Sequence, residues 1–79
     1  MMAFNEKCDA ILYYLKENER VSWGRFTKEA ALPKYDALLI YLKKNKEYID
    51  YNDSWISITE KGNVFITTTS FVDQRKTVY

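Results

Sequence analysis

The 79 residues of this chain suffice for one small domain, and a hydrophobic content of 47% is that of a protein that folds rather than one that stays disordered. Histidine is absent and Cys8 is the only cysteine, so the sequence lacks the commonest general base and zinc ligand and cannot form an internal disulfide. We therefore predict a protein that is not an enzyme and uses no metal or cofactor. The formal net charge is +1, and it is divided unevenly along the chain.

The sequence carries no pattern typical of a membrane or export segment. No apolar run reaches the roughly 18 residues that a membrane span needs. The N-terminus also lacks the basic-then-apolar order of a signal peptide. We expect a cytoplasmic protein without membrane contact.

Two helices are predicted in the first part of the chain. Apolar side chains recur at helical spacing over about residues 3 to 18, namely Phe4, Cys8, Ile11, Leu12 and Leu15. Ser22 is of a residue type that caps helix N-termini, which predicts a second helix over WGRFTKEAA. This helix should end near Leu32, because the residue before Pro33 is pushed out of the helical region.

A third helix is predicted to begin at Pro33, since proline suits the first helical position, and to run through KYDALLIYLKKNK. At 100° per residue its inner stripe consists of Tyr35, Leu38, Leu39 and Leu42. The outward face should then carry Asp36, Ala37, Ile40, Tyr41 and Lys44.

The stretch EYIDYNDSWISI predicts a β-hairpin. Asn52-Asp53 lies between two short runs of β-forming residues and tolerates the backbone conformation of a tight turn. A turn centred on these two residues would place Ile49 opposite Ile56 on one face and Asp50 opposite Trp55 on the other face. A two-stranded ribbon is marginal alone, so it should pack on the helices.

The hairpin should be followed by a last helix. Thr59 can cap a helix that starts at Glu60, and the acidic side chain suits the positive end of the helix dipole. We expect this helix to reach about Ile66, since the residues beyond it are rich in β-branched side chains. Residues 73–79 are predicted to form a polar tail, and residues 1–72 a single domain.

This order of elements resembles the winged helix-turn-helix family. KEAALPKYDALLIYLKKNKEYI is similar to the family's second helix, turn and third helix, YIDYNDSWISI to a short wing, and ITEKG to the signature with which many winged-helix regulators leave the wing. The resemblance implies an α+β, mostly helical fold, in which a three-helix bundle carries a two-stranded wing and a C-terminal helix or turn. It also implies double-stranded DNA as the partner, a role in transcription regulation, and a third helix that enters the major groove.

Charge gives a physical test of that expectation, because phosphate contacts supply most non-specific DNA affinity. Residues 25–46 contain six basic and two acidic residues, a net charge of +4. Residues 47–60 contain four acidic residues and no basic ones, a net charge of −4. We therefore expect Asp50 and Asp53 to repel DNA, so that the wing stays off it and replacing both with Asn would tighten binding if the wing lies nearby. The candidate DNA contacts are Arg25, Lys28, Lys34, Tyr35, Tyr41, Lys43 and Lys44.

A second interpretation is a protein-interaction or dimerisation module of the same fold. Tyrosine and tryptophan anchor many protein interfaces, and the candidate interface residues are Ile40, Tyr48 and Trp55. Tyr41 could instead complete the core, and the lysines at the end of the third helix could form a solvated face. Trp23 is expected to supply buried area rather than to bind a partner.

Overall fold

The computed structural model describes residues 3–76, which form an α+β domain with five helices and one three-stranded antiparallel sheet. In chain order the elements are α1 (Phe4–Asn18), β1 (Arg20–Ser22), α2 (Trp23–Ala30), α3 (Ala37–Lys44), β2 (Ile49–Tyr51), β3 (Trp55–Ile58), α4 (Glu60–Thr68) and α5 (Phe71–Lys76). The strand order is β1-β3-β2. One hydrophobic core joins the helices to one face of the sheet.

Helix α1 supplies the centre of this core and confirms the predicted first helix. Four of the five side chains of its predicted apolar stripe are buried, and the exception is Phe4, which is half exposed. The buried stripe meets Phe26 of α2, Leu39 and Leu42 of α3, and Ile49 and Ile56 of the hairpin. Removal of these apolar side chains from water is the main force that holds the small domain together.

Helix α2 begins and ends where its sequence signals indicate. The Ser22 hydroxyl accepts a hydrogen bond from the backbone N–H of Arg25 at 3.3 Å, which confirms the predicted N-cap. The helix ends at Ala30, and the next residue, Ala31, adopts a left-handed conformation with φ 56°. The chain thus leaves α2 shortly before Leu32 and Pro33.

Helix α3 begins at Ala37, so the predicted start at Pro33 is wrong. The Asp36 carboxylate accepts from the backbone N–H of Leu38 at 3.0 Å and caps the helix there. The residue before it, Tyr35, has φ 61°, which no right-handed helix contains. Residues 33–36 therefore form a turn. Leu38, Leu39 and Leu42 are buried as predicted, whereas Tyr35 lies outside the inner stripe and is 39% exposed.

Strand β1 was not indicated by the sequence, where residues 18–22 read only as a break between two helices. Its three residues pair antiparallel with β3, with Val21 opposite Ile56. Val21 is buried, and it is flanked on the strand by exposed Arg20 and Ser22. The strand owes its conformation to a partner more than thirty residues away, which local pattern does not reveal.

The hairpin forms, but its predicted register is wrong by two residues. Ile49 lies opposite Ile58, and Asp50 lies opposite Ser57. The reason is the Asn52 side chain, whose oxygen accepts from the backbone N–H groups of Ser54 at 2.8 Å and Trp55 at 3.0 Å. These bonds move the turn to Asp53-Ser54. A shift of two residues keeps every side chain on its predicted face, so Ile49 and Ile56 are both buried.

Helix α4 confirms the predicted cap at Thr59. The Thr59 hydroxyl accepts from the backbone N–H of Gly62 at 3.1 Å and donates to the carbonyl of Glu47 at 2.7 Å, which joins the helix to the chain before β2. A Cβ atom on Gly62 would lie 2.1 Å from the carbonyl oxygen of Tyr48. The helix continues to Thr68 and packs against α1.

No sequence pattern indicated helix α5, which is held by a residue at the other end of the chain. The Asp9 carboxylate on α1 accepts from the backbone N–H groups of Phe71 at 2.8 Å and Val72 at 3.1 Å. The Phe71 ring is buried against Tyr48 and Phe65. Of the predicted polar tail, residues 73–76 belong to α5 and residues 77–79 lie outside the described part of the chain.

Candidate nucleic-acid interface

The basic residues of the segment 25–46 differ in how far other side chains neutralise them. They lie on α2 (Arg25 and Lys28), in the α2–α3 turn (Lys34), on α3 (Lys43 and Lys44) and just beyond it (Lys46). All six were counted in the sequence-based charge, and five of them were predicted DNA contacts. Their partners decide which of these charges are open to a phosphate.

Arg25 is held by a polar network between α1 and α2. Its Nε lies 2.9 Å from Oε1 of Glu29, and its Nη2 donates to Oδ1 of Asn18 at 2.9 Å. The Tyr14 hydroxyl donates to the same Glu29 oxygen. Desolvation and this bond raise the pKa of Tyr14, while the hydrogen bond from Tyr14, and then Arg25, lower the pKa of Glu29. The charge of Arg25 is therefore largely compensated within the domain.

Lys43 is paired with the hairpin. Its Nζ lies 3.5 Å from Oδ1 of Asp50 and 4.8 Å from the centre of the Tyr51 ring. Both side chains are partly exposed, so the pair is screened by water and contributes at most about 1 kcal/mol. An anion that interacts more strongly with the ammonium group can therefore replace Asp50 as the partner of Lys43.

Lys34 is anchored without being neutralised. Its Nζ donates to the backbone carbonyl of Asp53 at 2.9 Å and lies 5.1 Å from the ring centre of Tyr35 and 5.6 Å from that of Trp23. Among the described residues it forms no ion pair with a carboxylate. A carbonyl and two aromatic faces attract the ammonium group but carry no net charge, so its positive charge is available.

Tyr35 joins the α2–α3 turn to the tip of the hairpin. Its hydroxyl donates to Oδ1 of Asp53 at 2.6 Å, and its ring centre lies 5.4 Å from those of Trp23 and Tyr51. The hydrogen bond to Asp53 is the largest cause that raises the pKa of Tyr35, followed by desolvation. Trp23 is buried beneath this contact, as predicted, and its indole N–H donates to the carbonyl of Asn52.

Within residues 25–46, three further lysines have no ion-pair partner among the described residues: Lys28, Lys44 and Lys46. Together with Lys34 we call them the unpaired lysines. Asp50 and Asp53, the two wing carboxylates predicted to repel DNA, are both engaged within the domain, by Lys43 and Tyr35 respectively. The acidic hairpin therefore leaves the charges of the unpaired lysines uncompensated.

The outward face of α3 is largely apolar. Ala37, Ile40 and Lys44 are exposed on it, and Ile40 has 37% of its surface exposed. Asp36 is committed to its cap. Tyr41 is half-buried, with its ring centre 5.4 Å from that of Phe4 and 6.3 Å from that of Phe71. Tyr41 thus packs against the core, and Lys44 is the only amine donor on this face.

The two aromatic residues of the predicted protein interface differ in accessibility. Tyr48 stacks on Phe65 with ring centres 4.5 Å apart and also contacts Phe71, so it belongs to the packing between the hairpin, α4 and α5. Trp55 is half-buried on the sheet face opposite the core, and the guanidinium of Arg20 lies 4.3 Å from its ring centre. Arg20 was not among the predicted residues, since only the unpredicted strand β1 brings it beside Trp55.

Metal binding, thiol chemistry and membrane insertion find little support in the described part of the chain. There, no group of three or more His, Cys, Asp or Glu side chains is placed to hold a metal ion. Burial, and then the charge of Asp9, raises the pKa of Cys8 to about 12, so its thiol stays protonated and unreactive near neutral pH. None of the described helices has the length and apolar character to cross a membrane.

Comparison with protein-family models, with curated proteins and with solved structures finds no match to this chain.

Proposed function

We propose that this chain is a winged helix-turn-helix protein that binds double-stranded DNA and acts by occupying it rather than by catalysis. The order of α1, α2, α3, hairpin and capped α4 supports the family assignment, since the resemblance rests on the same elements. Because one fold hosts many activities, the proposed function rests on the distribution of charge.

The observation that carries the proposal is the set of unpaired lysines. They lie on α2 (Lys28), in the α2–α3 turn (Lys34), at the end of α3 (Lys44) and just beyond it (Lys46). No carboxylate among the described residues pairs with them. Lysines that contact phosphates release condensed counterions, and this release drives association with DNA. Lys43 can join them at a small cost, because its partly exposed pair with Asp50 is weak.

The exposed side chains of α3 favour contact with the DNA backbone over reading of base sequence. Sequence readers place Arg, Asn, Gln or Ser against base edges in the major groove. The exposed side chains of α3 include Ala37, Ile40 and Lys44. The protein therefore binds duplexes of different sequence with similar affinity, and its regulatory role in transcription follows from occupancy. Dimerisation would raise its affinity for a paired site.

A titration of labelled DNA tests this proposal. Fluorescence anisotropy of a random-sequence duplex should show micromolar binding at about 50 mM salt that weakens strongly at about 200 mM salt. A second duplex of unrelated sequence should bind with similar affinity. Absence of binding at the lower salt concentration would contradict DNA as the partner.

The apolar face of α3 supports a second candidate function, a protein-interaction or dimerisation adaptor. Ile40 is 37% exposed, and beside it in sequence Tyr41 contacts Phe4, which is 50% exposed. Exposed apolar side chains that join into one contiguous patch are typical of protein-contact surfaces. Such an interface would respond little to salt.

One substitution separates the two functions. Ile40→Lys adds a positive charge to the outward face of α3 without touching the core. DNA binding through this face predicts unchanged or tighter binding of the duplex by the variant. An adaptor predicts that self-association, measured by sedimentation, is lost in the variant while the wild type associates at both salt concentrations. Tyr13→Lys on α1, where the tyrosine is 49% exposed against 37% for Ile40, serves as the control.

A further inference from the structure

We propose that Tyr35 is a positioning residue, whose hydroxyl holds the Asp53 carboxylate apart from Lys34 and so keeps the charge of Lys34 available for a DNA phosphate. This inference rests on the proposed DNA-binding function. It also replaces the sequence-based expectation for Tyr35, which was that the side chain contacts DNA directly.

The geometry separates the two polar groups of Asp53. The backbone carbonyl accepts from Nζ of Lys34 at 2.9 Å, while the carboxylate oxygen Oδ1 accepts from the Tyr35 hydroxyl at 2.6 Å. Lys34 and Asp53 form no ion pair, although they share a hydrogen bond. Asp53 therefore fixes the position of the ammonium group through a neutral atom, and its negative charge is engaged by a different side chain.

The Tyr35 ring is fixed well enough to perform this role. Its backbone has φ 61°, a left-handed conformation, and the residue lies in the turn that joins α2 to α3. The ring packs in a three-ring cluster, with its centre 5.4 Å from those of Trp23 and Tyr51, whose own centres are 5.5 Å apart. The hydroxyl therefore meets the hairpin tip with few alternative positions, and loss of the hydroxyl alone leaves the ring packing unchanged.

Charge pairing explains why the separation matters. A lysine that contacts a phosphate adds about 0.9 to the slope of log K against log salt concentration, because it releases one counterion. A lysine that already pairs with a carboxylate must give up that partner to neutralise a phosphate, so it displaces fewer of the counterions condensed on the DNA. The Asp53 carboxylate belongs to the same residue whose backbone carbonyl already binds Nζ of Lys34. Without the Tyr35 hydroxyl, this carboxylate is free to approach Nζ.

The test uses the Tyr35→Phe variant and its combination with Asp53→Asn, with DNA binding measured by anisotropy across salt concentrations. Tyr35→Phe should lower the salt slope by about 0.9, as should Lys34→Gln, so that the loss of affinity between 50 and 200 mM salt becomes about threefold smaller. Adding Asp53→Asn should restore the wild-type slope, because no carboxylate remains to capture Lys34. Tyr13→Phe removes the same atom from an exposed tyrosine and should change nothing.

The outcomes distinguish this inference from the function on which it rests. If wild-type protein binds DNA and Tyr35→Phe keeps the wild-type slope, the positioning role is wrong and DNA binding stands. If Tyr35→Phe weakens binding and Asp53→Asn fails to restore it, Tyr35 contacts DNA directly and the inference is again wrong. If the wild type does not bind DNA, the proposed function fails.

A readout without DNA tests the side-chain contact by itself. Thermal unfolding of Lys34→Gln, Asp53→Asn and their combination gives the coupling between these two side chains. That coupling should be near zero when Tyr35 is present and stabilising in the Tyr35→Phe background. Equal coupling in both backgrounds would overturn the inference.

Discussion

The Asp9 carboxylate of α1 accepts a hydrogen bond from the backbone N–H of Phe71, 62 residues further along the chain, at 2.8 Å. Its second oxygen accepts from Val72 at 3.1 Å, so one buried side chain satisfies two N–H groups at the start of α5. The same contact brings Phe71 against Tyr41, Tyr48 and Phe65. This one carboxylate therefore ties the last helix to the first.

We expect Asp9→Ala to destabilise the domain by about 1.5–3 kcal/mol. The variant loses two hydrogen bonds to a charged group and leaves the backbone N–H groups of Phe71 and Val72 without this acceptor. Glu17→Ala, an exposed change on the same helix, should stay within about 0.5 kcal/mol of wild type. Urea unfolding followed by tryptophan fluorescence measures both. Equal stability of the two variants would show that Asp9 does not hold α5.

The two glycines predict opposite effects of the same substitution. A Cβ on Gly62 would lie 2.1 Å from the Tyr48 carbonyl oxygen, so Gly62→Ala must separate α4 from the hairpin and should cost about 1–3 kcal/mol or more. Nothing lies within 4 Å of a Cβ on Gly24 in α2, where alanine favours the helix, so Gly24→Ala should gain about 0.5–1 kcal/mol. Thermal unfolding of the two variants compares them directly. A stable Gly62→Ala protein would contradict the close approach of α4 and Tyr48.

Two tyrosines predict how stability changes at high pH. The pKa values of Tyr14 and Tyr35 are raised in the folded protein, so the folded state holds these protons more tightly than the unfolded state does. Their contribution to stability is complete below the ordinary tyrosine pKa of about 10 and is lost as the pH rises through the raised values. Tyr14→Phe and Tyr35→Phe should each make stability fall less steeply in this range. Denaturant unfolding at neutral pH and above pH 10 tests the difference, and Tyr13→Phe is the control.

Asp50 should limit DNA affinity through its pair with Lys43. Asp50→Asn removes a partner 3.5 Å from Nζ, so duplex binding at low salt should tighten by about two- to fivefold. Glu17→Gln, which changes the net charge equally at an exposed position of α1, should have a smaller effect. Equal affinities of these two variants would show that Lys43 does not exchange Asp50 for a phosphate.

Local sequence signals predicted those elements whose cause is local. The apolar spacing of α1 and the caps at Ser22 and Thr59 are confirmed, because each depends on neighbours within one or two helical turns. The start of α3 was wrong because Pro33 and Asp36 both suit a helix start, and Asp36 is the one whose side chain caps it. The hairpin register was wrong because the Asn52 side chain holds the turn one residue further on.

Elements held by distant partners could not be predicted. Strand β1 exists through its pairing with β3, and α5 begins where Asp9 lies. The candidate site shows the same division. The positive charge of residues 25–46 is visible in the sequence, but which lysines are neutralised depends on contacts such as Lys43 with Asp50 and Tyr35 with Asp53, which only the folded chain brings together.

The most direct test of the account is the salt dependence of duplex binding in a variant that loses two unpaired lysines. Lys28→Gln with Lys44→Gln should lower the slope of log K against log salt concentration by about 1.8, since each phosphate contact contributes about 0.9. Lys16→Gln with Lys61→Gln, which removes the same charge from α1 and α4, should keep the wild-type slope. If the two double variants behave alike, or if the wild-type protein shows no salt-dependent binding, the unpaired lysines do not form a DNA interface.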